Sequence, residues 1–272
     1  MQTRKETLVA IFRDTVRLCT ENPQLLSAVK ASIQGTKYYP PSVTIKLPSR
    51  EGKGNLSINQ FRSFEAAQYW HKAYPHLRIG VLNFASATRP GGGVEDGCTA
   101  QEECLCRCSS LFLVLNQDEL HEKFYNTNAM ARNPLYSDAC IYSPGIMVFK
   151  TDERCPQLMN PDDWFAVDII TCAAPDLRVA FLPTENELYQ IHVSRANRVF
   201  QVAIDNGIDI MIMGAFGCGA FENDPIVVAK AHRDAIASYR NHFYQIEYAI
   251  YSRSFDTKNY DIFRGILFDN VK

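Results

Sequence analysis

Seven residues separate Gly91-Gly92-Gly93 from Gln101-Glu102-Glu103. An apolar stretch ending in Val81-Leu82-Asn83-Phe84-Ala85 feeds the glycine run, and the two glutamates open a segment with helical spacing. Backbone amides in a glycine turn can hold a polyanion, and a carboxylic acid beside them can protonate it at one bond. Consecutive helical residues diverge by about 100°, so Glu102 and Glu103 cannot present their carboxylates identically. Adjacent carboxylates also raise one another's pKa, which favours a protonated acid near neutral pH. A Glu-Glu pair without this context reads as a solvated helix face. The triple glycine and Gln101 shift the reading toward chemistry.

A second glycine-rich turn, Gly214-Ala215-Phe216-Gly217-Cys218-Gly219-Ala220-Phe221, follows the apolar run Ile210–Met213. It precedes a helix with Pro225 in its first turn and Asn223 or Asp224 as cap. The turn reads either as a lysine-free phosphate cradle at a helix N-terminus or as a tight structural connection. Its G-x-x-G-x-G spacing is not the G-x-G-x-x-G of a dinucleotide fold, and the chain holds no G-x-x-x-x-G-K-[ST]. Hydride transfer and ATP hydrolysis are therefore not supported. Cys98, Cys104, Cys106 and Cys108 crowd one segment, but C-x-C-x-C on a helix turns its thiols in different directions, and zinc sites favour C-x-x-C pairs. No metal is expected. Cys218 sits where amides could lower its pKa, although a structural role is the stronger reading. The six histidines form no H-x-x-x-H pair and read as surface or core residues.

These motifs need a scaffold, and the chain supplies an alternating one. Helical spacing runs from Lys5 to Ile33, broken at Asn22-Pro23, with a second short helix to Lys30. Ser42–Leu47 alternates like a strand, 50–55 reads as a loop, and Ser57-Ile58-Asn59 leads into a helix through about His71. Arg78–Phe84 is a predicted strand and Thr99–Leu115 a predicted helix. Residues 116–136 are polar with helical pieces. Short strands follow at Ala139–Tyr142 and Met147–Phe149, then a strand at Trp164–Thr171. The rest reads as helix Glu185–Asn206, strand Ile208–Met213, helix Pro225–Arg240, strand Gln245–Tyr251 and a short helix Asp261–Phe268. Strands alternating with helices predict an α/β sheet covered by helices.

At 46% hydrophobic residues the 272-residue chain can bury a sizeable core. With 28 basic against 30 acidic residues, broad electrostatic capture of nucleic acid or membrane is not indicated, which leaves only a local basic groove. Met1–Arg17 mixes Arg4, Lys5, Arg13 and Arg17 with short apolar runs, unlike a signal peptide, and no apolar run reaches membrane-spanning length. Nine cysteines, an odd number, fit a reducing cytoplasmic setting with free thiols.

The glycine run, the seven-residue spacing and Gln101-Glu102-Glu103 together resemble the signature of poly(ADP-ribose) glycohydrolases. The lead-in Asn83-Phe84-Ala85 and the turn Gly217-Cys218-Gly219-Ala220-Phe221 are similar to the compact microbial branch of that family. The resemblance runs from about Ser42 to Ser252, together with the N-terminal helices typical of the branch. It implies a macrodomain-like three-layer α/β/α fold with a mixed central sheet. Residues 1–272 would form one domain, with 1–40 as an N-terminal helical extension. It also implies hydrolysis of the ribose–ribose bond of poly(ADP-ribose), mainly from chain ends, since no long accessory domain is seen. No cofactor is implied.

Glu103 matches the general acid and Glu102 the partner that holds ribose hydroxyls. Gly91, Gly92 and Gly93 would shape the loop at the proximal ribose and phosphate, with Gln101 beside them. Gly217, Cys218, Gly219, Ala220 and Phe221 would form the second diphosphate loop, Phe221 packing on the ribose. Asn83 would orient that ribose or its loop. Asp168, in a strand ending Cys172-Ala173-Ala174-Pro175, is either an adenine contact or a structural group, with Thr171 and Ala173 as weaker contacts. Ser86 departs from the family's Asn at its position. The implied partners are ADP-ribose, poly(ADP-ribose) and ADP-ribosylated proteins, met by a monomer. The alternatives are a non-catalytic ADP-ribose reader and a hydrolase acting on ADP-ribose attached to nucleic acid or to a protein side chain.

Overall fold

The computed structural model describes residues 3–41, 43–179 and 182–268. Helices α1 (Arg4–Glu21) and α2 (Pro23–Gly35) open the chain. Thr3 and Glu6 form a capping box on α1, while Asn22 caps α2 with Pro23 at its first position, which explains the break between them. Strands β1 (Lys37–Tyr39) and β2 (Asn55–Asn59), helix α3 (Ser63–Ala73) and strand β3 (Ile79–Phe84) follow. Next come α4 (Gln101–Cys108) and α5 (Leu111–Leu115), then α6 (Asp118–Leu120) and α7 (Thr127–Ala131), joined by a π-helical turn at His121–Asn126. The chain continues through β4 (Cys140–Val148), β5 (Phe165–Cys172), α8 (Glu185–Asp205), β6 (Ile210–Met213), α9 (Pro225–Tyr239), β7 (Gln245–Ala249) and α10 (Lys258–Phe268).

The seven strands form one sheet in the order β1-β4-β5-β3-β6-β7-β2. β4 is antiparallel to β1 and β5, and every other neighbouring pair is parallel. This is the mixed sheet expected. Alternation along the inner strands splits the core into two layers. Val81, Ile169, Ile210 and Ile212 pack with Phe12, Phe64, Leu105 and Leu111 on one face. Leu82, Ile170, Met211 and Met213 pack with Phe200 of α8, Val228 of α9 and Phe263 of α10 on the other. Because helices cover both faces, the inner strands read as nearly unbroken apolar runs.

Four elements differ from expectation. Residues 43–47 form no ladder: Ile45 and Leu47 are half-buried against the α8–α10 layer, so the alternation reflects packing alone, and Ser42 lies outside the described residues. Residues 55–59 are the edge strand β2, paired in parallel with β7, rather than a loop and helix lead-in. Polar side chains hold it there. Ser57 Oγ donates to Glu247 at 2.7 Å and Asn59 donates to the same carboxylate, a tertiary contact that local sequence cannot reveal. The helix expected over 99–115 is interrupted, because the Cys108 carbonyl accepts from Phe149 and Lys150 N–H while Ser109 pairs with Val148. The two short strands expected over 139–149 are one strand, β4, with a bulge between Ser143 and Ile146 that accommodates Pro144.

The bulge fixes the role of Asp168. Its carboxylate accepts from Gly145 N–H at 2.9 Å, Tyr142 Oη at 2.7 Å and Arg78 Nη2 at 2.6 Å. Asp168 pairs with Gly80, three positions before the Asn83–Thr171 pair, and it follows the strand alternation of Ile170 toward the α8 layer. Its three partners make it a structural hub of β5. Asp168→Ala should lower the stability by about 1–3 kcal/mol, the cost of stranding buried donors. Urea unfolding would measure this, and ADP-ribose titration of the folded variant should show unchanged affinity.

Candidate active site

The carboxyl end of β3 carries the first half of the site. Ala85 N–H still pairs with the Cys172 carbonyl, after which the chain turns at Ser86, whose Oγ accepts from Thr88 and Arg89 N–H. Gly92 takes φ +55°, and a Cβ there would lie 2.6 Å from Glu103 Oε1 and 3.2 Å from Glu102 Oε2. Glycine is needed for the backbone and for the space. The loop then abuts α1: a Cβ on Gly97 would meet the Lys5 carbonyl at 2.8 Å.

Gln101 ties the start of α4 to β3. Its Nε2 donates to the Leu82 carbonyl at 2.8 Å and to Ser63 Oγ at 3.0 Å, while Oε1 accepts from Phe84 N–H at 2.9 Å. The amide thus imitates a strand neighbour at the end of β3, and its hydrogen-bonding groups are taken up by the protein. Gln101 thereby fixes the first turn of α4, which carries the two glutamates.

Both glutamates are buried, at 2% and 7% exposure. Glu102 accepts from Ser86 N–H at 2.7 Å and from Asn83 Nδ2 at 3.1 Å. Burial pushes its carboxyl up to about 8, against the pull of those two donors. Glu103 Oε1 accepts from Gly93 N–H at 2.9 Å, and its buried Oε2 has no partner among the described residues. Asn83 Nδ2 also reaches Thr171 Oγ1 at 3.2 Å, while its buried Oδ1 is unpartnered. The arrangement offers two unsatisfied polar atoms and two carboxylates crowded onto one side of a glycine loop.

The second glycine turn leaves β6, the parallel neighbour of β3. Phe84 joins the two halves: its ring meets Phe216 edge-on at 5.7 Å, and a Cβ on Gly214 would strike it at 2.8 Å. Gly217 takes φ +78°, with Ala174 2.6 Å from where its Cβ would stand. Gly219 and Ala220 are exposed, and Gly219 has open space around it. The half-buried Phe221 lies beneath the Arg178 guanidinium, 5.1 Å from its ring, and near Tyr136 at 6.4 Å. Burial pushes the Cys218 thiol up, opposite to the lowering its amide-rich turn suggested, and Cys218 Sγ faces the Phe216 carbonyl at 3.6 Å.

A family model described as the catalytic domain of microbial-type PARG, poly(ADP-ribose) glycohydrolase, matches residues 5–151. That span holds α1 from Lys5 onward, the glycine loop and both glutamates.

The chain belongs to the microbial-type poly(ADP-ribose) glycohydrolase family.

Solved structures agree. The poly(ADP-ribose) glycohydrolase of Thermomonospora curvata bound to the inhibitor ADP-HPD is 28% identical, with 94% of this chain and 98% of that chain covered at TM-score 0.82. The Deinococcus radiodurans enzyme in complex with ADP-ribose is 29% identical, with 89% and 97% covered at TM-score 0.76. No curated protein matches the chain.

Within this microbial glycohydrolase fold, Asn83, Gly91–Gly93, Gln101, Glu102 and Glu103 gather at one end of β3. Gly217–Phe221 sit at the end of the neighbouring strand, and Asp168 stands apart. Sequence reasoning missed Asn223, which it weighed only as a helix cap. Asp224 is the cap of α9. Asn223 is buried, and its Nδ2 donates to the carbonyls of Pro175, Gly217 and Phe221 at 2.8, 3.1 and 3.2 Å. Its Oδ1 meets His192 Nε2 at 2.8 Å. The asparagine therefore sets the shape of the second loop. Its place two residues after the turn was the one available signal. Among the described residues no helix is long and apolar enough to cross a membrane, and no cluster of three or more His, Cys, Asp or Glu could hold a metal.

The raised carboxyl of Glu102 has a consequence for stability. A group with a folded pKa above its unfolded value contributes fully below the unfolded value and loses that contribution as pH rises toward the folded one. The window here runs from the ordinary 4.5 to about 8. Thermal unfolding should therefore show the wild type losing stability across that range, and Glu102→Gln should flatten the decline. An equally steep decline in the variant would assign the pH dependence elsewhere.

Proposed function

We propose that the chain is a poly(ADP-ribose) glycohydrolase that breaks the ribose–ribose O-glycosidic bond and releases ADP-ribose. One observation carries the mechanism: Glu103 is held at Oε1 by Gly93 N–H, while its Oε2 has no partner among the described residues. In this reading Oε2 delivers a proton to the leaving oxygen as the C–O bond breaks. Glu102, kept largely protonated at neutral pH, holds the ribose hydroxyls with Asn83. The two carboxyl groups crowd the same point above Gly92, so they cannot flank a sugar as paired glycosidase carboxylates do, about 5 Å or more apart on opposite sides. A phosphate of the substrate then takes the proton of the attacking water, and the oxygen of that water bonds to the anomeric carbon.

The two glycine loops fit a diphosphate between them, with the exposed amides of Gly219 and Ala220 on one side and the Gly91–Gly93 turn on the other. Phe221 supplies an apolar wall for a ribose. The solved relative with ADP-ribose bound supports this reading. We also place attack mainly at chain ends. Residues 1–272 act as one unit, a monomer meeting poly(ADP-ribose) and ADP-ribosylated proteins in a reducing cytoplasm, which nine unpaired cysteines suit.

Glu103→Gln should cut release of ADP-ribose from the polymer by about 10²–10⁴-fold, the usual worth of a general acid, while calorimetry shows ADP-ribose affinity within a few-fold of wild type. Parallel loss of binding and turnover would remove Glu103 from the acid's role. Gly92→Ala should lower both stability and turnover, since a Cβ there strikes Glu103 Oε1 and the positive φ alone costs about 1–2 kcal/mol. Thermal unfolding and release assays on one preparation would test this.

A further inference from the structure

A cavity of about 410 Å³ beside α4 is lined by five arginines: Arg4, Arg62, Arg107, Arg154 and Arg253. Neither Glu102 nor Glu103 lines it. Glu153 and Asp256 are the acidic groups on its wall, which leaves a surplus of positive charge. None of the five arginines forms an ion pair among the described residues. Arg107 is the sharpest case, because the residue is 1% exposed and its guanidinium is held by the Cys98 carbonyl at 2.6 Å and Cys104 Sγ at 3.5 Å, with no carboxylate of the described residues within ion-pair distance. The buried Asp152 near this wall accepts from Phe64 N–H at 3.0 Å; it feels the charges of Arg62 and Arg107 but makes no ion pair with either, and burial pushes its carboxyl up to about 6. One carboxylate without a direct contact offsets these five guanidinium groups only in part, and a buried cation is costly until an anion meets it.

Aromatic surface adjoins this charge. The Arg62 guanidinium lies 3.9 Å over the ring of Tyr251, which lines the cavity and is half-exposed, and Phe255 beside Arg253 is 80% exposed. Guanidinium groups with stacking rings are the chemistry that takes a nucleotide, with its phosphates and its base together. The cavity also borders the proposed site of chemistry through Cys98. A Cβ on Gly93 would stand 2.5 Å from Cys98 Sγ, and the Cys98 carbonyl holds Arg107.

We propose that this arginine cavity is a second subsite that binds a nucleoside diphosphate, namely a neighbouring ADP-ribose unit of the polymer whose end unit occupies the glycine loops. The polymer assignment rests on the function proposed above. The nucleotide site itself does not.

The double variant Arg154→Gln/Arg253→Gln alters two exposed side chains outside the catalytic loops. Its KM for long poly(ADP-ribose) should rise about tenfold, the loss of roughly one phosphate contact, while kcat and turnover of a single ADP-ribose glycoside of a small alcohol stay at wild-type values. Loss on both substrates alike, or on neither, would overturn the subsite. A second measurement needs no turnover. ADP titrated into wild-type protein saturated with ADP-ribose should bind one further equivalent, and the double variant should not bind it. Absence of that equivalent in the wild type would end the proposal. Wild-type protein that binds the equivalent but cleaves no polymer would keep the nucleotide site and overturn the glycohydrolase reading. Tighter binding of a single-stranded oligoadenylate than of the polymer would assign the cavity to nucleic acid and refute the polymer subsite.

Discussion

Two carboxylates from consecutive residues are kept out of water with no ion-pair partner among the described residues, and the architecture around them follows from that constraint. A cation beside Glu102 would hold it ionised. Backbone and amide N–H groups donate without adding full charge, so burial keeps the upper hand and the carboxyl stays raised, to about 8. The donors must then be placed by backbone geometry. Ser86 and Gly93 supply N–H groups from a turn whose shape requires glycine at position 92. The loop is thus a set of fixed dipoles aimed at two acids, and its conformation is inseparable from their protonation.

Side-chain amides do the same work at three places. Gln101 completes the end of β3 as a further strand would, Asn83 bridges Glu102 to Thr171 on β5, and Asn223 gathers three carbonyls of the second loop. An amide carries donor and acceptor on one rigid plane, so it can substitute for a peptide unit where the sheet ends and loops begin. Each amide ties a glycine turn, or the helix after it, to the carboxyl ends of the parallel strands. The rigidity of the sheet is thereby passed to turns that would otherwise be held only at their ends.

The glycine loop and the glutamates were legible because their chemistry is local: glycines that free the backbone lie a short, fixed distance from the acids they surround. The layered α/β core was legible for the same reason, through apolar periodicity. The sequence left Asp168 open between two roles because a buried aspartate in a strand announces only that it needs partners. Those partners come from two separate stretches of chain, Arg78 just before β3 and Tyr142 with the bulge at Gly145 in β4. Strand β2 was missed because its stabilising group, Glu247, lies nearly two hundred residues away. The alternation at 43–47 misled in the opposite direction, since side chains can alternate in burial without a backbone partner.

The N-terminal helix shows how far the site extends beyond its motifs. Thr15 Oγ1 donates to the Arg107 carbonyl at 2.6 Å, and Lys150 Nζ reaches the Ile11 carbonyl at 3.0 Å and Asp14 at 2.8 Å. The same helix places the Lys5 carbonyl against Gly97 and Arg4 on the wall of the arginine cavity. Helix α1 therefore backs the glycine loop, the far end of α4 and the basic cavity at once. A displacement of α1 would move Gly97 and, through the short turn behind it, Gly93, whose N–H is the donor that orients Glu103. Because Arg107 belongs to α4 and contacts the Cys98 carbonyl, the cavity and the acid share one rigid connection. This gives a physical route by which the occupant of one could alter the geometry of the other.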